Sequence, residues 1–281
     1  MEYHSDRFKD MSLLIFKDEE LVGILPANKV ENVVYSHQGL TYGGPILSDN
    51  LSLSEIENIL NTLNHYLKSE NISTLKLKGL PKFYGNDQYH KLAEYLQKSA
   101  DEIYRSDKVL AIDYSQPFTI HKTKLKHYRK NQDKEFVIRE VDDLSTFWNV
   151  VLIPRLQEKH KVKPVHTLEE IMLLKSRFPD NIRQFNIYLE DEVLAGITIF
   201  DKGKVVKSQY GATTQRGEKE RALEFLFLEL IYKYKDEGKH FFSMGTVTED
   251  NELGYNKGLL KQKEELGCTE YSQDFYSFRI K

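Results

Sequence analysis

Apolar positions along the chain follow two spacings, alternate residues and every third or fourth, and the switch between them is sharpest from Lys204 to Gly267. Val205 to Tyr210 reads as a strand that ends at Gly211, and Ala212 to Gly217 reads as a polar loop. Ala222 to Tyr234 then carries Leu223, Phe225, Leu226, Phe227, Leu228, Leu230 and Ile231. Almost no polar face is left, which predicts a helix buried against a sheet. Gly238 closes that helix, and His240 to Met244 is a second strand, ended by Gly245. A charged loop leads to a short helix from Asn256, a favoured N-cap residue, to Gly267. Strand, helix, strand is a βαβ unit, with two parallel strands joined by a right-handed crossover. Open α/β sheets bind ligands beyond the carboxyl ends of their strands. The cleft is therefore expected where Gly211 to Gly217 meets Gly245 to Asn256.

Upstream, Ser12 to Phe16 and Glu20 to Leu25 read as a hairpin, Asn32 to Ser36 as a third strand, and Ser36 to Leu47, with three glycines and a proline, as a tight loop. Ile56, Ile59, Leu60, Leu63 and Leu67 have helical spacing, with Ser54 as expected N-cap and Glu57 completing a capping box. A strand Ser73 to Lys78, a helix Gln88 to Ala100 and a strand Val109 to Tyr114 complete a first α/β half. Gln116-Pro117 marks a boundary, predicting domains 1–115 and 116–281. The second half begins with a lysine-rich helix (Ile120 to Gln132) and a strand (Phe136 to Glu140). Two helices (Leu144 to Gln157, Leu168 to Phe178) and three strands (Gln184 to Leu189, Val193 to Phe200, Val205 to Tyr210) follow, joined by hairpin turns. A last strand is expected over Thr269 to Ile280. The two halves share a loose order of elements, as in a duplicated α/β domain.

Composition narrows the function classes. Of 281 residues, 40% are hydrophobic and 30% charged, so the chain has a core of its own. The net charge of -3 supplies no global field for nucleic acid or an anionic membrane. Cys268 is the single cysteine, which excludes an intrachain disulfide and a cysteine-based zinc site. The first ten residues are charged and lack the apolar stretch of a secretory signal, and no apolar run reaches membrane-spanning length, so the expectation is a cytoplasmic protein without membrane insertion.

Four stretches, in this order, resemble the FemAB-like branch of the GNAT acyltransferase superfamily, whose members carry two GNAT domains in tandem. They are SHQGLTYGGPI (Ser36 to Ile46), EKHKVKPVHTLEEI (Glu158 to Ile171), SQYGATTQRGEKERALEFLFLELI (Ser208 to Ile231) and NKGLLKQKEELG (Asn256 to Gly267). The last is similar to the family's Asn…Phe-Lys…Phe-Gly ending. The resemblance implies an α/β (α+β) fold of two GNAT-like domains. Each is a mixed, mostly antiparallel sheet flanked by helices, with the parallel βαβ unit in the second. It implies transfer of an acyl group from acyl-CoA, acetyl-CoA first, to a small-molecule amine such as a nucleotide-activated amino sugar or a cell-envelope precursor. No metal is implied. Two departures stand out. The superfamily's pyrophosphate loop usually reads Arg/Gln-x-x-Gly-x-Gly/Ala, whereas Thr213 to Lys219 holds one glycine. The long helical insertion of the transfer-RNA-dependent members is missing. Two rivals follow: an aminoacyl-transfer-RNA-dependent transferase of the peptidoglycan type, and a non-catalytic GNAT-fold binding protein.

The residues themselves leave several roles open. A helix N-terminus after Gly217 is either an ordinary capped helix or a phosphate seat to which Arg216 and Lys219 add charge. The resemblance favours ligand contact by Gln209, Gly211, Ala212, Thr213, Thr214, Gln215, Arg216, Gly217 and Lys219, with main-chain N–H groups near Gln209 to Ala212 polarising the donor carbonyl. Lys263 shares a helix face with Leu259 and Leu260 and matches the family's Phe-Lys position. His160 and His166 bracket KVKPV without a carboxylate or cysteine pattern, so surface or satisfied loop histidines are favoured over metal ligands. The resemblance makes that loop part of an acceptor pocket with Arg155. His37, Gln38, Tyr42 and Gly43 are further substrate candidates, as are Gly245, Thr246 and Asn256. His160, His166 and Glu249 are candidate bases, unranked. Lys122 to Lys130 is a basic run that reads as a solvated helix face or an RNA contact. No nucleophile sits beside a base in the sequence, which predicts direct transfer without an acyl-enzyme.

Overall fold

The computed structural model describes residues 6–36 and 38–281, with the backbone alone for His160. Two compact units divide the chain, one of residues 1–108 with 271–281, the other of residues 109–270.

In the first unit β1 (Lys9–Asp10), β2 (Leu13–Lys17), β3 (Glu20–Leu25), β4 (Asn28–Val30), β5 (Val33–Tyr35) and β6 (Ile46–Leu47) precede α1 (Leu53–Ser69). Then come β7 (Thr74–Lys78), α2 (Asp87–Ser99) and the first part of β8 (Glu102–Asp113). The main strand order is β1-β4-β5-β7-β14, where β14 (Thr269–Arg279) brings the chain back. β5 and β7 run parallel, the other pairs antiparallel. β2, β3 and β6 form a separate three-stranded sheet. Helical spacing places Ile56, Leu63 and Leu67 of α1 and Leu92 and Leu96 of α2 in one core with Leu75 and Leu77 of β7. The N-cap of α1 is Ser52, not Ser54: its hydroxyl accepts from Glu55 N while Glu55 accepts from Ser52 N. Both frames read Ser-x-x-Glu. The turn before them closes at Asn50 (φ 72), so the first extended residue able to cap is Ser52.

The second unit opens with Val109–Asp113 of β8 and contains α3 (Lys122–Asn131), β9 (Val137–Val141), a π-helical turn (Phe147–Leu152), α4 (Ile153–His160) and α5 (Leu168–Arg177). β10 (Ile182–Leu189), β11 (Glu192–Asp201) and β12 (Val205–Thr213) follow as antiparallel hairpins. The first hairpin turns through Glu190 and Asp191, both left-handed. Next are α6 (Gln215–Glu220), α7 (Ala222–Asp236), β13 (Phe241–Thr246) and α8 (Lys257–Glu265). The order β8-β13-β12-β11-β10-β9 contains one parallel pair, β12 with β13, as the βαβ pattern requires.

Alternation along the strands sorts side chains onto two faces. Ile197, Ile199 and Val206 meet Leu226, Leu230 and Ile231 of α7. Val193, Ala212 and Ile182 meet Phe147, Trp148 and Ile171 under the π turn and α5. The stretch Ala212 to Gly217 is not the loop its composition predicts. β12 continues through Thr213, and Thr214 caps α6 by accepting from Gly217 N at 3.0 Å. A Cβ on Gly217 would lie 2.2 Å from Leu194 O, so the glycine permits α6 to rest on β11. α6 stops at Arg221, which has φ 57, and α7 starts there.

Candidate active site

β12 is paired along one edge and open along the other. Its antiparallel ladder with β11 runs to Thr213. Its parallel ladder with β13 covers only Val205, Val206 and Lys207, against Phe241, Phe242 and Ser243. Among the described residues no strand pairs with that edge beyond Lys207. At the point of parting the register with β11 shifts: Thr198 faces Tyr210 and Ile199 faces Ser208, so Gln209 is the extra residue of a bulge. Its Oε1 is buried without a hydrogen-bond partner. Gly211, two residues on, is exposed.

The far end of β13 is held by a lysine. Asn256 caps α8, its Oδ1 accepting from Leu259 N at 2.9 Å, and this sets the helix so that Lys263 points inward. Lys263 Nζ donates to the carbonyls of Gly245 (3.2 Å) and Thr246 (2.9 Å). The residue is only 8% exposed, and burial pulls its pKa down to about 8. Its neighbour Cys268, also buried, is pushed up to about 12 by the same cause, which makes it a poor nucleophile. Glu249 is gripped by Asn256 Nδ2 (2.8 Å) and Asn251 Nδ2 (3.1 Å).

On the other face of β12 the sequence reading missed a partner. Tyr210 OH accepts from His166 N (3.2 Å) and lies 2.6 Å from His166 Nδ1. The hydroxyl oxygen has two lone pairs, so it can accept from both nitrogens or accept from His166 N and donate to Nδ1, and the ring's tautomer decides which. His166 is 3% exposed, and Trp148 packs edge-on against Tyr210 with centroids 5.1 Å apart. Tyr210 lies inside the predicted strand, where an aromatic reads as core, and its partner is 44 residues away.

The remaining candidates scatter. Arg155 pairs with Glu158 at 2.9 Å and with Glu218; Gln215 Nε2 donates to Glu158 and Lys159 to Glu218. Lys159 above all, with Arg155, holds the Glu218 carboxyl below the usual range. Arg216 bonds Glu190 and Glu192 at the β10–β11 turn. Lys219 is exposed, Thr213 Oγ1 donates to Leu194 O, and Thr246 Oγ1 accepts from Thr248 N. Gln38, Tyr42 and Gly43 belong to the first unit. Gln38 is tied to buried Asn28 by two 2.9 Å bonds, and Tyr42 packs on Tyr84 with its pKa raised by burial. His37 and the side chain of His160 lie outside the described residues.

No family model and no curated protein sequence matches this chain. Solved structures do. FemX superposes with a TM-score of 0.67 at 10% identity, over 97% of this chain and 88% of FemX. L-PGS from Bacillus licheniformis gives 0.63 at 12%, over 96% and 84%. A tandem GNAT protein from the clavulanic acid biosynthesis pathway gives 0.51 at 10%, over 96% and 82%. The chain has the tandem GNAT fold. At the fork of the parted strands an open strand edge, an exposed glycine and an unpartnered buried acceptor lie together. The expected pyrophosphate seat fits less well. Gly217 N is spent on Thr214, α6 is too short to act as an anion site, and Arg216 is already bonded to two carboxylates.

Proposed function

We propose that this protein is an N-acyltransferase and that acyl transfer takes place in the second unit, where β12 leaves β13. The parting of the two strands after Lys207 and Ser243, with the Gln209 bulge at the fork, is the observation that carries this reading. Main-chain N–H groups on the open edge from Gln209 to Ala212 would bind the donor carbonyl and align it for attack. Lys263 spends two of its three N–H donors on β13 and would turn the third to the developing oxyanion. His166, held by Tyr210, and Glu249, held by two asparagines, are the described candidates for the group that takes the amine proton. With Cys268 buried and protonated, transfer is direct. Mass spectrometry of protein mixed with donor alone is expected to show unmodified chain; a stable acylated chain would overturn direct transfer.

The donor is an activated acyl group, and two classes compete. Acyl-CoA, acetyl-CoA first, is what the GNAT resemblance implies, with an amine acceptor such as an amino sugar or cell-envelope precursor. An aminoacyl ester on transfer RNA is the second reading. It is favoured by the internally bonded Gly217 and Arg216 and by the exposed Lys122, Lys126, Arg129 and Lys130 on α3. Thermal shift separates them: a donor at 100 times its dissociation constant stabilises by about 2.7 kcal/mol. A shift with acyl-CoA supports the first class. A shift with aminoacylated transfer RNA that ribonuclease abolishes supports the second. No shift with either class defeats the acyltransferase reading and leaves the binding-protein alternative.

A further inference from the structure

The three-stranded sheet of the first unit turns a continuous apolar face to water. Register brings Leu14 opposite Ile24, Ile24 opposite Ile46, and Phe16 opposite Leu21. Leu14 is 64% exposed, Phe16 55%, Leu21 48% and Ile46 57%. The opposite face is filled, with Val22 and Leu25 in the core. A bulge at Val22 keeps both sets in phase, since the pairing shifts between Ile15 and Phe16. Single exposed hydrophobic residues are ordinary on a protein surface. Four joined through strand register, on the order of 450 Å² together, approach the size that marks an interaction site.

The charges beside the face decide what covers it. The turn at its end is Asp18-Glu19-Glu20, and the adjacent cation, Lys17, is paired with Glu55 at 2.8 Å. An acidic rim rejects an anionic bilayer. Sheets that pack face to face need matching apolar inner surfaces, and this face matches itself. Two copies of it, with their polar rims, approach the roughly 1,600 Å² total of a standard interface. A two-fold axis normal to the strands sends the two acidic turns to opposite ends, so they do not meet.

We propose that this protein forms an isologous dimer through the outer face of the β2-β3-β6 sheet, with Leu14, Phe16, Leu21, Ile24 and Ile46 at its centre. The proposal does not depend on the acyltransferase reading. Size-exclusion chromatography with light scattering, from low to high micromolar protein, tests it. The wild type is expected at twice the chain mass of 33.0 kDa. Phe16→Glu and Ile46→Glu, both at exposed positions, are expected at the single-chain mass with unchanged circular dichroism. Leu253→Glu, an exposed apolar residue of the other unit, is expected to stay dimeric. Hydrogen exchange on the unmutated protein gives a readout free of folding effects: amides of residues 13–25 should slow as concentration rises. A wild type that is monomeric throughout, or a dimer that survives both glutamates, overturns the proposal.

Discussion

Lys263 Nζ lies 2.9 Å from the carbonyl oxygen of Thr246, so a buried ammonium closes the end of the strand that parts from β12. Its pKa of about 8, against 10.5 for a free lysine, links that contact to pH. Below 8 the group is charged in both folded and unfolded chains, and the folded chain bears the cost of burying it. Between 8 and 10.5 the unfolded chain holds more protons, so the contribution of this group to stability rises with pH. The gain levels off above 10.5, at about 3 kcal/mol in total. Urea denaturation of the wild type and Lys263→Met across this window checks it: the stability difference is expected to move in favour of the wild type as pH rises. A constant difference would show that the ammonium is not desolvated.

Gly217→Ala tests the seating of α6. The new methyl meets Leu194 O at 2.2 Å and Thr213 Oγ1 at 2.5 Å, both on fixed parts of the sheet. The expected cost is about 1–3 kcal/mol by chemical denaturation. Gly258→Ala in α8 meets nothing closer than Asn256 Oδ1 at 3.4 Å. There the expected change is a gain of about 0.5 kcal/mol, from lower freedom in the unfolded chain.

Ser52→Ala removes a hydroxyl that accepts from Glu55 N and is expected to destabilise by about 1 kcal/mol. Ser54→Ala loses only a hydroxyl contact with Ser52 at 3.0 Å and should change stability by a few tenths at most. Equal losses at the two serines would contradict the cap.

These residues also mark how far sequence reaches. Ala222 to Tyr234 was legible because seven apolar residues on every side of a helix admit one environment, and α7 occupies Ala222–Asp236. Asn256 as N-cap and Lys263 on the inner face followed from spacing alone, and α8 has both. Thr214 to Gly217 misread as a loop because the glycine outweighed a favoured N-cap, Thr214, and two good helix formers, Gln215 and Arg216. What requires the glycine inside that helix is the close approach to Leu194, a contact across 23 positions. Ser52 and Ser54 offer the same local pattern, and only the turn before them chooses. The return of residues 271–281 to the first unit leaves no local trace, because strand character does not name its partner strand.

Tyr210→Phe removes both the acceptor of His166 N and the partner of His166 Nδ1. Two buried groups lose their bonds, and about 1–3 kcal/mol of stability should go with them. Nitrogen chemical shifts of the histidine ring report the tautomer: one form in the wild type, a mixture in the variant. An unchanged ring would mean that the hydroxyl does not set the tautomer.

Gln209→Met separates stability from binding at the fork. The Oε1 atom of Gln209 is buried with no partner, a state that costs about 1–3 kcal/mol for an amide oxygen. Methionine fills a similar volume without the acceptor, so the free protein is expected to gain about 1 kcal/mol. If the oxygen is kept to receive an N–H from the donor, the same change removes that bond, and the thermal shift produced by the cognate donor should shrink. The two effects have opposite signs and are read in one pair of melting curves, with and without donor. A variant more stable alone and less stabilised by donor places Gln209 in the binding site. A variant stabilised by donor as strongly as the wild type moves the donor carbonyl away from the bulge and onto the open edge beyond it.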